Sequence, residues 1–328
     1  MSNHFYFIEV QKTIIMLNTF LKLLPFKKAL VQYGASLKLK FRNPIETKIY
    51  GKLASFVALQ GEADVMVGTN LGIADKYKVV LPLGKTPTEY IFGTPENYYG
   101  ERTVLYLSKY LAKNCDAIAD IGANWGFYSY FLAAHTDKKI YFFEPNKELF
   151  DNILMNIKAN YLQDRLIGSS QGIAEKTGQL DFYVNLSSNY SSSLSNYFEN
   201  VGHHIVKTTI EVISVDDFVK KHEHKNWLLK VDIEDAEFQF LEGAEQALKQ
   251  GKVKYLIIEL LQNARKNNFV DKMIAKGWNA YYLNDYRVEF VSKEDGRYTP
   301  PEYNWLFCKE KPEELKKILN QTRFVVVG

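Results

Sequence analysis

Apolar and polar positions along the second half of this chain fall into a regular alternation of short runs and periodic stretches. The runs AIADIG (residues 117–122) and KIYFFEP (139–145) have strand length. FYSYFLAAH (127–135) and KELFDNILMNIKAN (147–160) read as helices, the latter with Leu149, Ile153, Leu154 and Ile157 at helical spacing. RLIGSSQGIA (165–174) is a weaker strand. Then WLLKVDIE (227–234) predicts a strand, AEFQFLEGAEQALKQG (236–251) a helix stopped by Gly251, VKYLIIEL (253–260) a strand, and ARKNNFVDKMIAKG (264–277) a helix. Strands apolar on both faces and joined by helices predict an α/β fold with a parallel, doubly wound sheet. RVEFVS (287–292) and YNWLFCKE (303–310) add strands with no helix between them, so the far edge is expected to be antiparallel.

The first 85 residues are less regular. Residues 14–31 have helical clustering, and DVMVG (64–68) and YKVVLPL (77–83) read as short strands between glycine-rich turns. The apolar stretch 14–24 is interrupted by Lys22, ended by Pro25, and too short to span a bilayer; it also lacks the flanks of a signal peptide. It is expected to dock on the protein or on a twin subunit, which leaves a homodimer open, rather than on a membrane surface. The proline- and glycine-marked stretch GKTPTEYIFGTPENYYG leads into a helix, TVLYLSKYLAK (103–113). Two parts are therefore expected: a small α+β extension over 1–85 and a main domain over 86–328.

Composition narrows the field. With 46% hydrophobic and 24% charged residues the 328-residue chain can bury a large core, and 41 Lys and Arg against 38 Asp and Glu leave a net charge of only +3. No long basic block is present to neutralise phosphates, so nucleic acid is not an expected partner. Cys115 and Cys308 have no metal-ligand spacing; they read as core residues of a protein in the reducing cytoplasm.

In an open sheet of this kind ligands bind beyond the carboxyl ends of the strands. The stretch ADIGANWGFYSYFLA is a strand, a turn carrying Gly122 and Gly126, and a helix. A triphosphate loop needs GxxxxGK, and no Lys follows Gly122 before Lys138. A dinucleotide loop wants a glycine where Asn124 stands, and Trp125 argues against a pyrophosphate seat. A neutral or cationic ligand remains, with Asp120 placed to accept a hydrogen bond from an ammonium group. Glu144 ends the second strand 22 residues after Gly122, where an acid can take the hydroxyls of a ribose; this fits an adenosine cofactor of either the nicotinamide or the sulfonium kind. Asp232, Glu234, Asp235 and Glu237 then crowd four acids into six residues after the strand LLKV, more than helix capping needs, and Glu259 is expected on the neighbouring strand. Such acids raise one another's pKa or recruit a cation, and either outcome suits proton removal from a hydroxyl.

In their order, ADIGANWGFYSYFLA, YFFEPNKELFDNILMNIKAN, GIAEKTGQLDFYV, the serine-rich SSNYSSSLSN, TTIEVISVDDF, LLKVDIEDAEFQFLEGAEQAL and YLIIEL resemble the FkbM family of S-adenosylmethionine-dependent methyltransferases over residues 102–261. The resemblance implies a class I methyltransferase fold, Rossmann-like, with a seven-stranded, mostly parallel sheet whose last strand is reversed. Gly122, Ala123, Asn124 and Gly126 would line the methionine half of the cofactor, Glu144 would hold the ribose, and Ser170 and Gln171 would border the adenine. Asp232 would lie beside the transferable methyl, and Asp232 or Glu234 would be the base. Similar proteins show D-x-E-G-x-E where this chain reads D-I-E-D-A-E, so that Asp235 brings a charge and a side chain where glycine is usual. A divalent ion on Asp232 and Glu259 is conceivable but not favoured. The implied acceptor is an oxygen on a sugar or glycan, with a polyketide-type natural product as the nearest rival.

His203 and His204 follow the serine-rich loop and are an alternative base; His222 and His224, in KHEHK, read as a charged surface turn. Aromatics in PENYYGERT and NAYYLNDY are placed to stack on an acceptor or to fill the core. A nicotinamide-dependent oxidoreductase would share the turn and Glu144 but needs a Tyr and Lys pair that is not recognisable here. A non-catalytic binding module would have lost the acids.

Overall fold

A computed structural model describes residues 64–66, 73, 76–82, 99–185, 192, 194, 204–261, 268–284, 286–291 and 304–328. The chain forms two compact units, Met1–Thr94 and Pro95–Gly328. In the first, β1 (Asp64–Met66) and β2 (Val80–Pro82) pair antiparallel where short strands were expected. The expected helix over 14–31 lies outside the described residues.

The second unit opens with α1 (Tyr99–Leu111), which starts a turn earlier than its apolar pattern. The alternation then follows: β3 (Ala117–Ile121), α2 (Phe127–His135), β4 (Lys139–Phe143), α3 (Lys147–Ala159) and β5 (Leu166–Ser169). β6 (Gly172–Ile173), β7 (Gly178–Asn185) and β8 (Ile205–Ile213) form a separate three-stranded sheet in the order β6-β8-β7. α4 (Val215–Lys220), β9 (Trp227–Val231), α5 (Glu237–Gly243), α6 (Glu245–Lys249), β10 (Val253–Glu259) and α7 (Phe269–Ala275) resume the alternation. The chain ends with β11 (Asn279–Asn284), β12 (Arg287–Val291), β13 (Asn304–Cys308), α8 (Pro312–Ile318) and β14 (Val325–Val327).

The large sheet has nine strands in the order β14-β12-β11-β13-β10-β9-β3-β4-β5. From β5 to β10 every pairing is parallel, and β13 runs antiparallel to both β10 and β11. Apart from the hairpin strand β12 and the edge strand β14, chain order across the sheet reads third, second, first, fourth, fifth, seventh, sixth, with the seventh reversed. That is the class I methyltransferase sheet, widened by two strands. The expected antiparallel far edge is present, in β13 and in the β11–β12 hairpin, with β13 slotted between β10 and β11.

Two local elements differ from expectation. The stretch 236–251 is two helices rather than one, because both oxygens of Asp216 draw in the backbone N–H groups of Gln246 (3.0 Å) and Ala247 (2.7 Å), capping α6 from α4. Residues 165–174 split between two sheets at the turn formed by Ser169 Oγ and Gln171. Of the two roles open to the aromatics of NAYYLN, the core one holds: the segment is the strand β11, with Tyr281 and Tyr282 buried in it.

Both faces of the parallel strands are covered. Ala119, Ile121, Leu229, Val231, Leu256 and Ile258 pack with Phe240 and Phe269 on one face. Burial of aliphatic and aromatic side chains of this size stabilises the fold by roughly 1.5–3 kcal/mol each. On the other face, the register pairs Asp120 with Lys230 and with Phe142. Chain order reverses at β3, between β4 and β9, and the crevice of such a sheet opens beyond the carboxyl ends of these strands.

Candidate active site

The turn after β3 is built by hydrogen bonds to the end of β4. The Phe143 carbonyl accepts from Gly122 N (3.1 Å) and Ala123 N (2.9 Å), and Glu144 Oε2 accepts from Asn124 N (2.7 Å). Glu144 Oε1 accepts from Asn146 N (2.8 Å). The side chain of Asn146 then caps α3 by accepting from Glu148 N. Glu144 is thus a staple between the glycine turn and the start of α3. It is 5% exposed, and burial lifts its carboxyl to about 8 against the pull of the two N–H donors.

Left-handed backbone makes the turn possible: Gly122, Asn124 and Gly126 have φ of 81°, 53° and 76°. Gly122 is doubly constrained, since a Cβ there would stand 1.8 Å from the Asp232 carbonyl oxygen. The turn and the end of β9 therefore touch, joined also by the bond from Asp232 N to Ile121 O (3.0 Å). Trp125 points inward and is 1% exposed, so its bulk does not obstruct the crevice. Ser170 is exposed and Gln171 half-buried just past β5, whose last residue Ser169 accepts from Glu144 N (3.1 Å).

The acids after β9 divide by environment. Asp232 is partly exposed, and its Oδ2 accepts from Lys230 Nζ at 3.1 Å. Glu234 and Asp235 occupy left-handed backbone at φ 49° and 78°, which explains why glycine suits position 235; aspartate is among the residues that tolerate it. Glu237 is 1% exposed and accepts from Asp235 N at 3.1 Å. Burial first, then the charges of Asp232 and Glu237, push the Glu234 carboxyl up to about 8; burial pushes Glu237 to about 7. Glu259 is half-buried at the end of β10, one step beyond the register pair Ile258–Val231, and its own sheet partner is Asn304 of β13. Among the described residues no group of three or more His, Cys, Asp or Glu side chains is arranged to hold a metal ion.

Asp120 sits differently from expectation. It is 0% exposed, with Oδ2 held by Ser129 Oγ (2.7 Å), and the ammonium it meets is that of Lys230, 3.9 Å from Oδ1, rather than a ligand's. Burial pushes its carboxyl upward. Motif spacing does not single out Lys230. The available signal was a charged residue inside the apolar run WLLKV.

The histidines lie elsewhere. His204 is exposed, and His203 is outside the described residues, as is most of the serine-rich loop. His222 and His224 are not a solvated turn: both are half-buried against Tyr141 and Trp227, and Tyr141 Oη lies 3.1 Å from His224 Nε2. They stand before the amino end of β9, away from the crevice. Cys115 and Cys308 are buried free thiols, as expected of core residues.

A reversed penultimate strand, a glycine turn at the switch point and acids closing the two neighbouring strands define a methyltransferase domain of the S-adenosylmethionine-dependent class. The sequence matches the family model of the methyltransferase FkbM domain over residues 120–287, just over half of the 328 residues, and the chain belongs to that family. No curated protein matches the sequence. Similar solved structures include methyltransferase FkbM from Methylobacillus flagellatus, 16% identical with a TM-score of 0.40, covering 79% of this chain and 59% of that one. The chain thus spans less than two thirds of that protein's length. Precorrin-6y C5,15-methyltransferase from Geobacter metallireducens is 13% identical with a TM-score of 0.35, covering 64% and 88%. The N-terminal domain of human METTL16 in complex with SAH is 10% identical with a TM-score of 0.40, covering 74% and 80%.

Proposed function

We propose that the protein transfers a methyl group from S-adenosylmethionine to a hydroxyl oxygen of a sugar or glycan. The observation that carries this reading is the meeting, beyond the carboxyl ends of the central strands β3 and β9, of the stapled turn 122–126 with the acidic segment 232–237, through the contact of Gly122 with Asp232. The donor set fits the cofactor: carboxylates and backbone amides rather than a basic phosphate seat. When bound, the cofactor supplies an electrophilic methyl on a cationic sulfur.

The chain's own residues have three tasks. Gly122, Ala123, Asn124 and Gly126 shape the seat of the methionine half. Glu144, Ser170 and Gln171 border the adenosine half. Asp232 and Glu234 face the acceptor, whose oxygen must approach in line with the breaking bond, so that positioning carries much of the rate. A sugar hydroxyl also loses a proton. Asp232 is already engaged with Lys230, whereas the Glu234 carboxyl, lifted to about 8, is matched to accept a proton near neutral pH. Methyl transfer should therefore rise with pH up to about 8 and then level.

The test is calorimetric binding of S-adenosylhomocysteine, with NADH and ATP as controls, on wild type and Glu144→Ala. Selective binding of S-adenosylhomocysteine, weakened by the substitution through loss of the staple, is expected; preference for NADH would overturn the reading. Transfer of labelled methyl into pools of sugars and glycans then examines the acceptor. Label on nitrogen or carbon, or on polyketide-type hydroxyls alone, would overturn the sugar assignment.

A further inference from the structure

Lysine in the middle of a central parallel strand is out of place unless something receives its charge. Lys230 lies in β9, between β3 and β10, in register with Asp120, and is 8% exposed. Its ammonium stands 3.1 Å from Asp232 Oδ2, 3.9 Å from Asp120 Oδ1 and 5.7 Å from the centre of the Tyr128 ring. The surroundings are themselves fixed. Tyr128 Oη donates to Ser108 Oγ (2.6 Å), which donates to the Val104 carbonyl, and Ser129 holds the far oxygen of Asp120. Among the described residues Asp120 Oδ1 has no hydrogen-bond partner, and the lysine is its countercharge. Side-chain exposure runs from 0% at Asp120 through 10% at Lys230 to 27% at Asp232, a chain of charges leading from the core to the crevice.

We infer that Lys230 is a positioning residue, whose ammonium, anchored by Asp120, holds the Asp232 carboxylate toward the cationic centre of the bound cofactor. The inference rests on the methyltransferase reading above. Two features separate it from a purely structural ion pair. The ammonium lies nearer the crevice carboxylate than the buried one. Moreover, a buried charge network is seldom retained for stability, since apolar replacements of similar volume are often neutral or stabilising.

The experiment compares two probes at one pH: S-adenosylhomocysteine, neutral at sulfur, and sinefungin, which carries a protonated amine where the cofactor carries its methyl. The ratio of their affinities reads the negative charge presented at that point and is insensitive to a general loosening of the site. Lys230→Met and Asp232→Asn should each lower the sinefungin preference about tenfold, and the double variant no further than either alone. Lys230→Arg should keep the wild-type ratio. If Lys230→Met does not fold, the charge-balanced pair Asp120→Asn with Lys230→Met, with and without Asp232→Asn, completes the same cycle. An Asp232→Asn effect of equal size with and without the lysine would overturn the positioning role while leaving the methyltransferase reading intact. Failure of the wild type to bind S-adenosylhomocysteine would overturn that reading and this inference together.

Discussion

At the scale of single residues, the site depends on a few backbone conformations that side chains resist. Gly122 combines left-handed φ with a Cβ position occupied by the Asp232 carbonyl. Left-handed backbone alone costs an alanine about 1–2 kcal/mol, and relieving the overlap requires the turn and β9 to part. Gly122→Ala should therefore lower stability by more than about 2 kcal/mol and abolish S-adenosylhomocysteine binding, as measured by denaturant unfolding and calorimetry. Position 235 offers the complementary case. At φ 78° it is left-handed but carries a side chain, so Asp235→Gly should prove about 1–2 kcal/mol more stable than Asp235→Ala. Equal stability of the two variants would show that the strained backbone relaxes in solution.

At the scale of elements, the β9–α5 connection concentrates carboxyl groups that burial keeps above their usual range. For Glu234 the sign is set by a folded value near 8 against an ordinary 4.5. Between these values the unfolded chain has released a proton that the folded chain retains, so this contribution to stability is complete below about pH 4.5 and lost as pH rises through about 8. Glu234→Gln does not titrate. Its melting temperature should gain on the wild type steadily from pH 5 to pH 8 and hold a constant lead above that. A lead independent of pH would show that Glu234 is not shifted. A carboxylate also sets the break between α5 and α6: Asp216, in α4, offers α6 a cap that a continuous helix would forgo.

At the scale of the whole molecule, the class I sheet turns residues far apart in the chain into neighbours at a single edge. Glu144, the turn after β3 and the acids after β9 meet because β4, β3 and β9 are adjacent and parallel. A ligand that binds only this assembled edge stabilises the folded state by mass action. At a hundred times its Kd, S-adenosylhomocysteine should add roughly 2.7 kcal/mol, a Tm rise of roughly 5–10 °C for a unit of this size. NADH at the same concentration should leave Tm unchanged. Scanning fluorimetry reads both, and a rise with NADH alone would point to the oxidoreductase alternative.

The sequence by itself determined the elements whose pattern is local. Strand-length apolar runs, the helical stripe of α3, and the turn marked by Gly122 and Gly126 follow from side-chain period and from the backbone freedom of glycine. The identities of Glu144, Asp232 and Glu234 as acids at strand ends were legible for the same reason. Only the tertiary structure decided what depends on register between distant segments. It set Lys230 opposite Asp120, seated Asp120 away from solvent, placed β13 between β10 and β11, and parted residues 165–174 between two sheets. These outcomes arise from through-space pairing of hydrogen bonds and charges, to which local hydrophobic period is blind.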